Sequence, residues 1–129
     1  MKNGILQGTA AFASLLFPVL AFAAPAQPEV SYKNDVSPII HDYCLNCHEP
    51  KGKGFETSGL DLRTYKSLMK GTKFGTVIKP GDSFTSIMIQ VIDGRVHDSI
   101  KMPYGMAGGL SKAKIGVLKK WVDQGAKDN

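Results

Sequence analysis

Two cysteines three apart, followed directly by a histidine, constrain this chain more than any other feature: Cys44-Leu45-Asn46-Cys47-His48. The spacing is that of a c-type haem attachment site. Two thiols add across the two vinyl groups of one haem, so they must lie close together along the porphyrin edge. The adjacent imidazole then reaches the iron from the proximal side. Leu45 and Asn46 act as spacers. A chain built on such a motif folds around a flat cofactor, and its remaining histidines and methionines become candidates for the second iron face.

These are the only two cysteines in 129 residues. Three other uses of such a pair are known to chemistry. An exported protein can close them as a disulfide. A thioredoxin-type redox pair belongs in a strand–helix–strand setting, and no alternating strand pattern surrounds this one. A structural zinc site needs four ligands, and a second paired set is missing.

The N-terminus supplies the export context. Lys2 precedes a mainly apolar run from Ala10 to Ala24, and Ala21-Phe22-Ala23 fits a small-x-small cleavage site. Residues 1–23 therefore read as a signal peptide, with Pro18 and the short run disfavouring a membrane span. Residues 24–30 read as a Pro-rich mobile lead-in and 31–129 as one domain. Cleavage leaves about 106 residues, enough for a modest core. It also lowers the formal net charge from +5 to +4. That mild basicity suits an acidic partner surface or weak attraction to anionic lipid. No basic stripe with interleaved aromatics argues for nucleic acid.

Helical periodicity recurs along the domain. A first helix is expected between about Asn34 and Tyr43, capped by Asn34 or Asp35, with Val36, Ile39, Ile40 and Tyr43 on one stripe. It carries His41, read as a surface side chain. Residues 49–59, with three glycines and a proline, read as a loop in which Lys51 and Lys53 solvate the chain. A short helix follows from Thr64 to Lys70, stopped by Gly71. Arg63 just before it reads as solvent-facing, with a haem propionate as the other option. Asp82 or Ser83 is expected to cap a third helix to about Ile92, with Phe84, Ile87, Met88 and Val91 as its stripe and Met88 as core filler.

Residues 93–110 form a long Gly- and Pro-bearing loop, of the kind that tends to be functional. Met102 precedes Pro103, which biases its backbone to an extended form able to aim one side chain at a cofactor face. Met106 follows in a more flexible setting, and His97 reads as an exposed loop residue. The last helix is capped by Ser111, buries Ile115, Leu118, Trp121 and Val122, and ends at Gly125.

Taken in order, these motifs resemble the class I c-type cytochromes, and more closely the small planctomycete-type cytochrome c domains. The matching stretches are Cys44–His48, Ser58-Gly-Leu-Asp-Leu-Arg-Thr-Tyr65, Ile78-Lys-Pro-Gly81, Lys101-Met-Pro103, and Leu110-Ser111 leading to Trp121-Val-Asp-Gln-Gly-Ala126. The resemblance implies an all-α fold of about four helices around one covalent haem c, the first and last helices crossing near the attachment site. It implies Cys44 and Cys47 as the covalent attachments, His48 as proximal iron ligand and Met102 as distal ligand, with Met106 in reserve. Where the family often shows Met-Pro-Pro, this chain has Met102-Pro103-Tyr104.

The function expected is one-electron transfer in the periplasm between redox protein partners with acidic docking surfaces, not enzymatic turnover. No nucleophile with a base and no carboxylate pair stands out. Three alternatives stand beside it: a haem domain with an open or displaceable sixth site for a small gas or peroxide, a haem subunit of a larger oxidoreductase, and a haem-free exported disulfide domain.

Overall fold

The computed structural model describes residues 27–129; the expected signal peptide lies outside them. Five α-helices make up the regular structure: α1 (Ser37–Tyr43), α2 (Lys53–Ser58), α3 (Tyr65–Lys70), α4 (Ile87–Ile92) and α5 (Lys112–Asp123). A π-turn, Tyr32–Val36, leads into α1, and a single 3-10 turn, Asp98–Ile100, interrupts the long loop after α4. The fold is all-α, with no strand among the described residues.

The first helical segment starts earlier than expected. Ser31, not Asn34 or Asp35, caps it, accepting a hydrogen bond from the Asn34 amide, while Asp35 accepts one from the Ser31 amide. Pro38 falls in the first turn of α1, where its missing N–H costs nothing. Thr64, expected as the first residue of α3, is its cap, exchanging hydrogen bonds with Ser67, and Gly71 ends the helix as predicted.

Two expectations are overturned. Residues 53–58 form α2, within the stretch read as a loop. Gly52 is its extended N-cap and Gly59 its left-handed C-cap at φ 74°, so these glycines punctuate a helix instead of preventing one. The helix after the Pro80-Gly81 turn is the second. It begins only at Ile87, because the Asp82 carboxylate accepts from the Thr85 amide and hydroxyl and closes a local turn. Phe84 is left 73% exposed, beneath the Arg95 guanidinium at 4.7 Å from its ring centroid.

The core gathers around α5. Trp121 is 1% exposed, with Leu118 and Val122 equally enclosed. Its ring meets Tyr32 of the π-turn at 5.6 Å and Tyr65 of α3 at 6.4 Å, and Tyr32 meets Tyr65 edge-on at 5.1 Å. Polar handles are satisfied at the same place: Trp121 Nε1 donates to the Lys127 carbonyl and the Tyr65 hydroxyl to the Ala126 carbonyl. Pro28 to Val30, the end of the expected mobile lead-in, are anchored here through Gln124 and the Glu29–Lys127 pair.

Asp93 fastens the far end of α5 to the long loop. Its carboxylate accepts from Arg95 and from Lys119 of α5, both at 2.9 Å. Burial pushes this carboxyl up, but hydrogen bonds from Lys119 and Arg95 more than offset it, so it titrates below its ordinary value. A depressed native pKa contributes stability above the unfolded value, about 3.9, and loses it as pH falls through the native one. Asp93→Asn is expected to cost about 1 kcal/mol at pH 7. In urea melts at falling pH, the gap to the parent should close below about pH 4.

Candidate functional site

The attachment segment is held rigidly before any cofactor is considered. Chain exit from α1 stays helical: the Cys44 and Leu45 amides donate to the Ile40 carbonyl, and the His48 amide to the Cys44 and Leu45 carbonyls. This turn brings Cys44, Cys47 and His48 to one cavity. Helix α2 then braces it, the Phe55 amide donating to the Cys47 carbonyl at 2.9 Å, and the segment after α2 adds the Leu62 amide, which donates to the His48 carbonyl at 2.8 Å. The fit is close enough to require glycine at two positions. A Cβ at Gly52 would stand 2.5 Å from the Cys47 oxygen, and one at Gly54 2.7 Å from His48 Cε1.

The cavity measures about 770 Å³, within the ~300–1,000 Å³ of ligand-holding clefts. Leu60, Leu62 and Val77 line it, together with Ile87, Met88, Val91 and Ile92 of α4. The predicted stripe Ile87, Met88 and Val91 therefore faces this cavity, while Ile89 on another side of α4 is fully buried in the core. The long loop contributes Ser99, Ile100, Met102, Pro103, Tyr104 and Met106. Met102 is half-buried, and its amide donates to the Val91 carbonyl at 2.9 Å, which ties this loop to α4. Met106 is 41% exposed.

The other sequence candidates lie elsewhere. His41 is exposed beside Asp42, and His97 is exposed with Nδ1 accepting from the Ser99 amide. The Arg63 guanidinium is taken by a two-pronged pair with Asp61 and does not line the cavity. Lys53 does line it.

The donor set has distinct electrostatics. Both cysteines are free thiols. Burial, and then the neighbouring Cys47, pushes the Cys44 thiol up to about 11. Burial lowers the pKa of His48, with the Leu60 backbone acting the other way, so the imidazole is neutral at pH 7 with a lone pair to donate. Its Nδ1 is enclosed and has no partner of hydrogen-bonding geometry. A flat apolar cofactor with two thiol-reactive groups on one edge and a metal at its centre matches these walls and donors. Sequence reasoning missed α2 and the cavity face of α4; the helical spacing of Ile87, Met88 and Val91 was the available signal.

Residues 44–103 match the protein family described as Planctomycete cytochrome C. No curated protein and no solved structure gives a significant match to the chain.

Proposed function

We propose, from the match of residues 44–103 to the family described as Planctomycete cytochrome C, that the chain is a c-type haem-binding domain and a periplasmic carrier of single electrons. One observation carries this reading: two free thiols, a buried neutral imidazole and a thioether line one apolar cavity. Haem c, once bound, supplies a one-electron iron couple whose potential a thioether ligand raises.

The chain's own residues do the rest. Cys44 and Cys47 would hold the cofactor by thioether bonds, each S–H adding across one vinyl double bond with no net oxidation. His48 offers its neutral imidazole as proximal ligand. If Nε2 bound the iron, the enclosed Nδ1 would be left to carry the ring proton. Met102 would be the distal ligand, its backbone tied to α4 by the hydrogen bond to Val91. The aliphatic side chains of α4 and Leu60, Leu62 and Val77 exclude water and favour the less charged ferrous state. No described helix is long and apolar enough to cross a membrane.

The test separates the two methionines. In the oxidised protein, Met102→Ala should abolish the weak far-red band of an iron–thioether bond and lower the reduction potential. Met106→Ala should leave both unchanged. The reverse result would transfer the ligand role to Met106. Indifference to both, with carbon monoxide binding readily to the reduced parent, would replace electron transfer by a gas- or peroxide-binding site.

A further inference from the structure

Between Asp61 and Asp82 the chain has no acidic residue, yet it carries Arg63, Lys66, Lys70, Lys73 and Lys79. The two outer cations are neutralised locally, Arg63 by Asp61 and Lys79 by Asp82. The inner three are exposed and have no salt-bridge partner among the described residues. Lys66 and Lys70 are four apart on α3, so they share one face, while Leu68 of the same helix is buried.

Lys73 continues this patch into a tight turn that ends in an unusual side chain. Phe74 is 82% exposed. It is not on a loose tip. The Thr72 amide donates to the Gly75 carbonyl at 2.8 Å, the Gly75 amide donates back at 3.2 Å, and the Phe74 amide donates to the Thr72 hydroxyl. The turn is fastened to α2 by the Lys73 amide donating to the Ser58 carbonyl. The Lys73 ammonium stands 5.2 Å from the Phe74 ring centroid. A rigid, convex turn thus presents one apolar ring amid three free cations.

We infer that this patch docks the protein on an anionic lipid surface, with Phe74 entering the headgroup–acyl boundary and Lys66, Lys70 and Lys73 meeting lipid phosphates. The chemistry is that of interfacial anchors, in which buried apolar area and attraction to anionic headgroups add. A protruding ring suits a soft surface better than a flat protein face, and lysine stems can lie along the apolar layer with their charges in water. Thr72, at the base of the turn, lines the cavity. The anchor therefore sits at the cavity's rim and keeps the carrier in a thin layer beside the membrane.

The test is flotation of the haem-loaded protein with vesicles of phosphatidylglycerol and phosphatidylcholine, against vesicles of phosphatidylcholine alone. Binding is expected only to the anionic vesicles, and added salt should release it. Each of Lys66→Gln, Lys70→Gln and Lys73→Gln should weaken partition about fivefold, and Phe74→Ser should weaken it at least as much. The double change Lys112→Gln with Lys120→Gln on α5 should have little effect. Visible spectra identical to the parent's would show that these surface variants fold. The proposal is overturned if anionic vesicles are not bound, or if the α5 change weakens binding as much as the patch changes do. Salt-resistant binding indifferent to the patch would instead mark an N-terminal anchor. Slowed electron exchange with an acidic redox protein, without vesicle binding, would make the patch a protein-docking site.

Discussion

Replacing Cys44 and Cys47 together by alanine should give a protein without visible chromophore and without a cooperative fold. The reason lies in how the domain is built. A cavity of about 770 Å³ opens into it, and its apolar walls gain packing contacts only from what fills it. Small domains have roughly 5–15 kcal/mol of net stability to lose. Without the thioether bonds the cofactor is held by ligation alone and is lost on dilution. Visible absorption and thermal melts of the purified variant check both halves. A melt like that of the parent, or retained haem after denaturing electrophoresis, would refute the account of the site.

Trp121→Ala should be nearly as damaging, by a route that does not touch the cofactor. The indole is 1% exposed and meets two tyrosines. Its loss leaves a large void and frees the Lys127 carbonyl from its donor. Truncations of this kind cost about 3–5 kcal/mol. Trp121→Phe keeps most of the packing and should cost about 1–2 kcal/mol, chiefly the hydrogen bond and the lost ring volume. Guanidinium unfolding of the haem-loaded forms measures both. A cost below about 1 kcal/mol for the alanine variant would mean that the Tyr32–Tyr65–Trp121 cluster does not hold the π-turn, α3 and α5 together.

Much of this was legible in the sequence because it depends on local rules. The attachment motif fixes its own chemistry by spacing. Thr64, Ser111, Gly71 and Gly125 fall where caps and stops must fall, and α3 and α5 follow from them. What escaped depends on contacts that side chains make only in the folded chain. Gly54 looks like a helix breaker, yet it sits inside α2 because no side chain fits against the His48 ring. The side chain of Asp82 is a good helix cap in isolation, but the turn it makes with Thr85 delays α4 to Ile87. Met88 was read as core filler and is buried, but the wall it belongs to faces the cavity. Periodicity reveals that a face is apolar; it does not say whether protein or cofactor covers that face. Arg63 is exposed as expected, and its guanidinium pairs with Asp61 two residues away.

The central claim is a single covalent haem held between His48 and Met102. The most direct measurement is the visible absorption spectrum, oxidised and reduced, of the chain matured in a periplasm with haem-attachment machinery. Low-spin bands in both states, with the weak far-red band of an iron–thioether bond when oxidised, are the predicted result. A high-spin reduced form lacking that band would contradict the ligand pair, and a colourless protein would contradict the haem itself.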